Sequence, residues 1–121
     1  MEERYAVVLP VKSEPILVHC DDGESMALKS LQEMVEGYIE CVNNLIFDTD
    51  LSEDVEPVLV VNEEGRLKGF KINRAATIMA VDGFGIVGNA VLMAARGDEL
   101  IGFLEKDAEK IKEDWEEWCQ Y

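Results

Sequence analysis

The sequence predicts an α+β domain: a mixed or mainly antiparallel sheet of four to six strands with two principal helices. Short runs rich in β-branched and aromatic residues recur at Tyr5–Val11, Ile16–Val18, Tyr38–Phe47, Val58–Val61 and Ala90–Ala94, with Gly, Pro, Asn or Asp close to their ends. Two stretches, residues 24–35 and 104–119, carry the 3.6-residue period of amphipathic helices. At 121 residues and 48% hydrophobic, the chain is expected to be one domain, 1–121, with one modest core.

In the first strand Pro10 suits an end or an edge. Pro15 opens the short run Ile16-Leu17-Val18, and Asp21-Asp22-Gly23 reads as a turn. Met26, Leu28, Leu31, Met34 and Val35 then mark a helix, capped by Asp22 or Ser25. Gly37 suits its left-handed stop. From Tyr38 the period becomes two, which predicts a strand to Phe47. Asp48 to Glu56 holds Asp48, Asp50, Glu53, Asp54 and Glu56 with no base, and reads as a solvated loop.

Val58 to Val61 is a nearly continuous apolar strand after Pro57. Asn62-Glu63-Glu64-Gly65 has turn chemistry, with Leu67–Phe70 as the returning arm of a hairpin. Asn73 can cap a short helix through Met79 that closes at Asp82-Gly83. Ala90–Ala94 is another strand, Gly97-Asp98 a turn, and Glu99–Phe103 a short extended piece. Leu104, Ala108, Ile111, Trp115 and Trp118 stripe the last helix. That stripe either packs into the core or makes 104–119 a peripheral, partner-docking helix. The expected core is Val7, Leu9, Leu31, Val35, Ile39, Val60, Phe70, Val91, Ile111 and Trp115, with both principal helices on one face of the sheet.

Charge is sorted along the chain. The net charge is −15, and residues 30–65 hold ten acids and no base. Residues 66–81 hold Arg66, Lys68, Lys71 and Arg74 and no acid. This balance disfavours direct nucleic-acid binding and anionic membranes, and it favours a basic protein surface as partner. No run approaches the roughly 18 apolar residues of a membrane span, and Met-Glu-Glu-Arg lacks a signal peptide's basic start, so cytoplasm is the expected location. Cys20, Cys41 and Cys119 lack CxxC spacing and read as buried or half-buried thiols.

Among candidate sites, Asn73, Arg74 and Asn89 can surround an anionic metabolite or nucleotide. Arg74 opposes the helix dipole and invites an anion, either an internal acid such as Glu63 or a ligand. Arg66, Lys68 and Lys71 either join it in an anion site or compensate the acids before them. Gly83, Gly85 and Gly88 do not form a phosphate-binding fingerprint. Neither an enzyme constellation nor a cofactor or metal motif is recognisable.

Leu31-Gln-Glu-Met-Val-Glu-Gly-Tyr-Ile-Glu, Leu59-Val-Val-Asn-Glu-Glu-Gly-Arg-Leu, Asn73-Arg-Ala-Ala-Thr and Ile86-Val-Gly-Asn-Ala-Val, in that order, resemble the family catalogued as domain of unknown function 3846. The resemblance implies a small protein of bacterial phages and other mobile elements, and it carries no catalytic residue. That family often has two adjacent glycines after the first helix; here Glu36 takes the place of the first and Gly37 the second. The function expected is a small acidic interaction module that occupies a basic or nucleic-acid-binding surface of a host protein. Its contacts are Asp48, Asp50, Glu53, Asp54, Glu56, Trp115 and Trp118. The alternative is a binding module for an anionic metabolite or nucleotide.

Overall fold

The computed structural model describes residues 3–81 and 85–118. The expected turn at Asp82-Gly83, Cys119 and the side chain of Trp118 lie outside the described residues. In chain order the elements are β1 (Arg4–Leu9), β2 (Ile16–His19), α1 (Leu28–Val35), β3 (Ile39–Val42), β4 (Glu56–Asn62), α2 (Arg74–Met79), β5 (Ala90–Arg96), β6 (Glu99–Ile101), β7 (Phe103–Leu104) and α3 (Glu105–Trp118). The class is α+β as expected, and the described strand pairings are all antiparallel. The main path of the sheet runs β2-β1-β5-β4-β3, and seven segments belong to it because the Glu99–Phe103 piece divides in two.

That division positions the end of the chain. β1 and β5 pair from Val7 opposite Leu92 to Leu9 opposite Ala90, then part. β6 returns along β5, with Ile101 opposite Ala94, and β7 runs back along β1, with Phe103 opposite Tyr5. Gly102 stands at the vertex of this wedge. A Cβ there would lie 2.9 Å from both the backbone N and O of Tyr5, and closer still to Cys20 Sγ. The next residues start α3, so the wedge sets where that helix begins.

Successive residues of the central strands point to opposite faces of the sheet, and because β4 and β5 are buried at consecutive positions both faces are covered. Val7, Leu9, Leu59, Val61, Leu92 and Ala94 pack with α2 and α3, through Ala76, Met79, Ala108 and Ile111. Ala6, Val60, Val91 and Met93 pack with Leu31 and Val35 of α1. The two principal helices therefore lie on opposite faces, not on one. The physical reason is that Val58–Val61 and Ala90–Ala94 are apolar at every position, so each face needs its own cover. Seven of the ten expected core residues are buried, while Ile39, Phe70 and Trp115 are half-buried.

Four local expectations are corrected. The returning arm Leu67–Phe70 is not a strand, because both edges of β4 are already taken by β3 and β5. Residues 63–69 instead form consecutive turns, held by Phe70 N–H to Gly65 O at 3.0 Å and Lys68 N–H to Glu64 O at 3.0 Å. The strand from Tyr38 ends at Val42, and only an isolated bridge, Leu45 to Ala80, continues the pairing. α1 starts at Leu28 without a side-chain cap. Asp22 accepts from the N–H groups of Glu24 and Ser25, and Asp21 from that of Ala27, so both acids build the turn before the helix.

The fourth correction concerns the helix stop. Glu36, not Gly37, takes the left-handed conformation, at φ 64° and ψ 40°. Gly37 is needed for another reason: a Cβ there would come within 2.6 Å of Asn62 Nδ2 and 2.7 Å of Lys68 Nζ. Both positions of the glycine pair thus have a use, and Glu36 occupies the first under strain. Glu36→Gly is expected to stabilise the fold by about 0.5–1 kcal/mol, as relief of the left-handed penalty outweighs the entropy of a glycine. Urea unfolding measures this, and a destabilised variant contradicts the strain.

Candidate functional site

The acidic segment is an ordered strap. Between residues 45 and 56 burial follows a two-residue period. Leu45, Phe47, Leu51 and Val55 pack partly against the α2–α3 core, and Thr49 between them is only 8% exposed. The even-numbered residues Ile46, Asp48, Asp50, Ser52, Asp54 and Glu56 are exposed. Apolar burial on one side therefore turns Asp48 and Asp50, and after a bend at residues 52–54 Asp54 and Glu56, outward to solvent. Where the chain is extended, alternate residues stand roughly 6–7 Å apart. Residues 48–55 form no helix or strand, as the loop expectation has it, and their acids apart from Glu53 are exposed; what that expectation lacks is the half-buried or buried odd-numbered positions from Leu45 to Val55.

Three groups on one stripe of α3 hold the strap. Asp107, buried, accepts from the Ser52 N–H at 3.1 Å and the Ser52 hydroxyl at 2.9 Å. Lys110 Nζ donates to Asp50 O at 3.2 Å, and the Thr49 hydroxyl donates to Asp114 at 2.8 Å. Ala108, Ile111 and Trp115, one position further round, pack on the sheet. The structure thus brings the acidic segment and the outer face of the last helix together, with Glu113, Glu116 and Glu117 exposed on that helix. Trp115 belongs partly to the core, which places the helix in the fold proper.

Glu53 is spent inside the fold. Arg4 grips it with two bonds, Nη1 to Oε2 at 2.8 Å and Nη2 to Oε1 at 2.7 Å, and Nη1 also donates to Gly102 O at 3.1 Å. The Arg4 hydrogen bonds hold the Glu53 carboxyl below its ordinary value of 4.5, against the opposing effect of burial. The folded pKa is depressed, so this stabilisation is complete above the unfolded pKa and is lost as pH falls through the folded one. Glu53→Gln is expected to cost about 1–2 kcal/mol at neutral pH. Urea unfolding from pH 7 to pH 3 should show that difference shrinking in acid; an unchanging difference contradicts the ion pair's role.

The basic segment forms no ion pair with the acidic one among the described residues. Lys68 Nζ donates to Glu36 O, at the C-terminal end of α1, at 3.3 Å, and Arg66 donates to Gly85 O. Such donors suit the free carbonyls of a helix end. Among the described residues, no ion pair joins Arg66, Lys68, Lys71 or Arg74 to a carboxylate; the pairs present are Arg4–Glu53 and Arg96–Glu24, and the His19 imidazole contacts Glu3. The expected pairing of Arg74 with Glu63 does not form.

The three residues considered for an anionic ligand are placed as follows. Asn73 is completely buried. Its Nδ2 donates to Leu9 O at 2.7 Å and Gly88 O at 2.9 Å, and its Oδ1 accepts the Ala76 N–H at 3.1 Å, capping α2 as expected. Asn89 Oδ1 accepts the Val11 N–H at 3.2 Å, and Arg74 is exposed at the start of α2. Both asparagines thus join β1 to the loop before β5.

Burial, with Asp22 and Asp21 nearby, pushes the Cys20 thiol up to about 11, so it is protonated at neutral pH. Cys41 is exposed on the edge strand β3. His19 contacts Glu3 at 2.7 Å and meets the Tyr5 ring edge-on, centroids 4.6 Å apart. Among the described residues no group of three or more His, Cys, Asp or Glu side chains is arranged to hold a metal ion, and no helix is long and apolar enough to cross a membrane.

Sequence reasoning missed Arg4, Ser52, Asp107 and Asp114 as the residues that order the acidic face. The i, i+3, i+7 spacing of Asp107, Lys110 and Asp114 was the available signal. The model of a protein family, the domain of unknown function DUF3846, matches residues 4–116. No curated protein and no solved structure shows significant similarity to the chain.

Proposed function

The chain belongs to the DUF3846 family, and from that premise we propose that it is a small acidic protein-interaction module. It occupies a basic surface of another protein, specifically one that otherwise binds nucleic acid, as an inhibitor carried by a phage or other mobile element. The observation that carries this reading is the set of outward carboxylates Asp48, Asp50, Asp54 and Glu56, which no described base pairs with. Internal compensation was the main competing use of this charge, and Arg66 and Lys68 are instead bonded to backbone carbonyls. Carboxylates on a two-residue period offer a basic groove the spaced negative charge that a phosphate backbone offers. Such charge chiefly steers encounter and fixes orientation, and apolar contacts then hold the complex.

The test is affinity against salt, using a partner purified after capture from the native host. Binding should weaken steadily as salt rises, and nucleic acid should compete for the same partner. Affinity indifferent to salt, or simultaneous binding of nucleic acid and this protein, would overturn the reading.

A further inference from the structure

Beside the start of the acidic strap is a groove of about 330 Å³, between residues 46–49, the end of α2 and the outer face of α3. Phe47 and Met79 form its apolar floor, and Ile46 and Ile78 its walls. Those walls are open to solvent: Ile46 is 58% and Ile78 40% exposed. Its rim carries Asp48, Asp114 and Glu117, and no described lining residue is basic. Lys110, four residues before Asp114, is bonded to Asp50 O; Arg74 precedes Ile78 by four residues and Lys112 precedes Asp114 by two, and none of the three lines the groove.

We infer that this groove receives the apolar side chains of a basic amphipathic helix belonging to the partner, whose lysines and arginines meet Asp48, Asp114 and Glu117. The inference rests on the interaction reading above and names where the apolar anchor sits. Charge complementarity selects the occupant. An anionic metabolite or a nucleic acid brings more negative charge to three carboxylates, and a second copy of this chain is repelled by its net charge of −15 although its residues 66–74 are locally basic. A small polyamine satisfies the rim and leaves the floor bare. Only a segment that is cationic on one side and apolar on the other satisfies both, as in helix-in-groove recognition. The Thr49 hydroxyl, bonded to Asp114 at 2.8 Å, orients that rim carboxylate in advance.

The experiment is an NMR titration of the full chain, labelled at methyl groups and amides, with an amphipathic Leu/Lys helix. A scrambled peptide of the same composition and spermine serve as comparisons. The helix should shift the methyls of Ile46, Ile78 and Met79 saturably. Ile78→Asp should weaken its binding by about tenfold. Ile46→Ser, at the more exposed wall, supplies a second variant should Ile78→Asp fail to fold. If the amides of residues 48–56 shift while the groove methyls do not, the groove inference falls and the acidic-surface reading stands. If neither moves, both fall. Equal groove shifts with spermine or the scrambled peptide also overturn the inference, since charge alone then suffices. Groove shifts produced by Trp118→Ala without any peptide assign the groove to the chain's own last residues and overturn it too.

Discussion

Asn73→Asp is expected to cost about 3–4 kcal/mol of folding stability at neutral pH. The substitution keeps size and keeps the acceptor that caps α2. It replaces the donor that holds Leu9 O at 2.7 Å and Gly88 O at 2.9 Å with an acceptor, at a position with no solvent exposure. Two carbonyls would then face a carboxylate in the core. Burial and these carbonyls raise the folded pKa of the new acid above the unfolded value of about 3.9. The penalty is therefore smallest below the unfolded pKa and grows as pH rises through it toward the folded one. Even the protonated acid has one donor for two carbonyls, so acid restores only part of the loss. Urea unfolding against pH measures this. A variant as stable as the parent at pH 7 would mean that Asn73 is not locked into the fold, and would return it to the ligand-binding candidates.

Gly102→Ala is expected to lower stability by about 3 kcal/mol and Tm by about 10 °C. The wedge admits no side chain, because its vertex lies against the β1 backbone and Cys20 at once. Its own backbone is also committed, with the Gly102 N–H bonded to Glu24 O at 2.8 Å and its carbonyl accepting from Arg4. A thiol can swing aside, but the Tyr5 N and O, each 2.9 Å from the would-be Cβ, belong to a strand paired on both sides. The double variant Gly102→Ala, Cys20→Ala separates the two contacts. It should remain about as unstable as the single variant, and full rescue would show that the sulfur alone sets the limit.

What the sequence revealed depended on the range of each interaction. The Asn73 cap was legible because it joins a side chain to an N–H three residues on. The two amphipathic helices were legible from periodicity. Their placement on opposite faces was also written in Val58–Val61, whose unbroken apolar run serves two cores, although a count of helices alone does not reveal it. The failed hairpin shows the opposite limit: Asn62–Gly65 has turn chemistry, but whether a strand follows depends on which neighbours already hold β4. Arg4 and Glu53 are 49 positions apart, and nothing local marks them as a pair.

The candidate site was half legible. The acids were evident from composition, and their dense run made the segment read as solvated loop. The odd-numbered partners Leu45, Phe47, Leu51 and Val55 contain the same period-two signal that marks a strand, and they explain why the carboxylates face outward. The apolar groove was not legible, since Ile46 and Ile78 come from segments joined by backbone bonds such as Ile46 N–H to Met79 O at 2.7 Å.

The central claim is that the position of the strap's outward acids, not net charge alone, recognises the partner. Two variants of equal charge separate these: Asp48→Asn, Asp50→Asn, Asp54→Asn, Glu56→Gln in one, and Glu14→Gln, Glu33→Gln, Glu63→Gln, Glu64→Gln in the other. All eight positions are exposed, and the second set lies outside the strap. Titration calorimetry against the captured basic partner at a fixed salt concentration should show the first variant losing about tenfold or more in affinity and the second within about twofold of the parent. Equal losses in both, or a first variant that binds as the parent does, would contradict the claim.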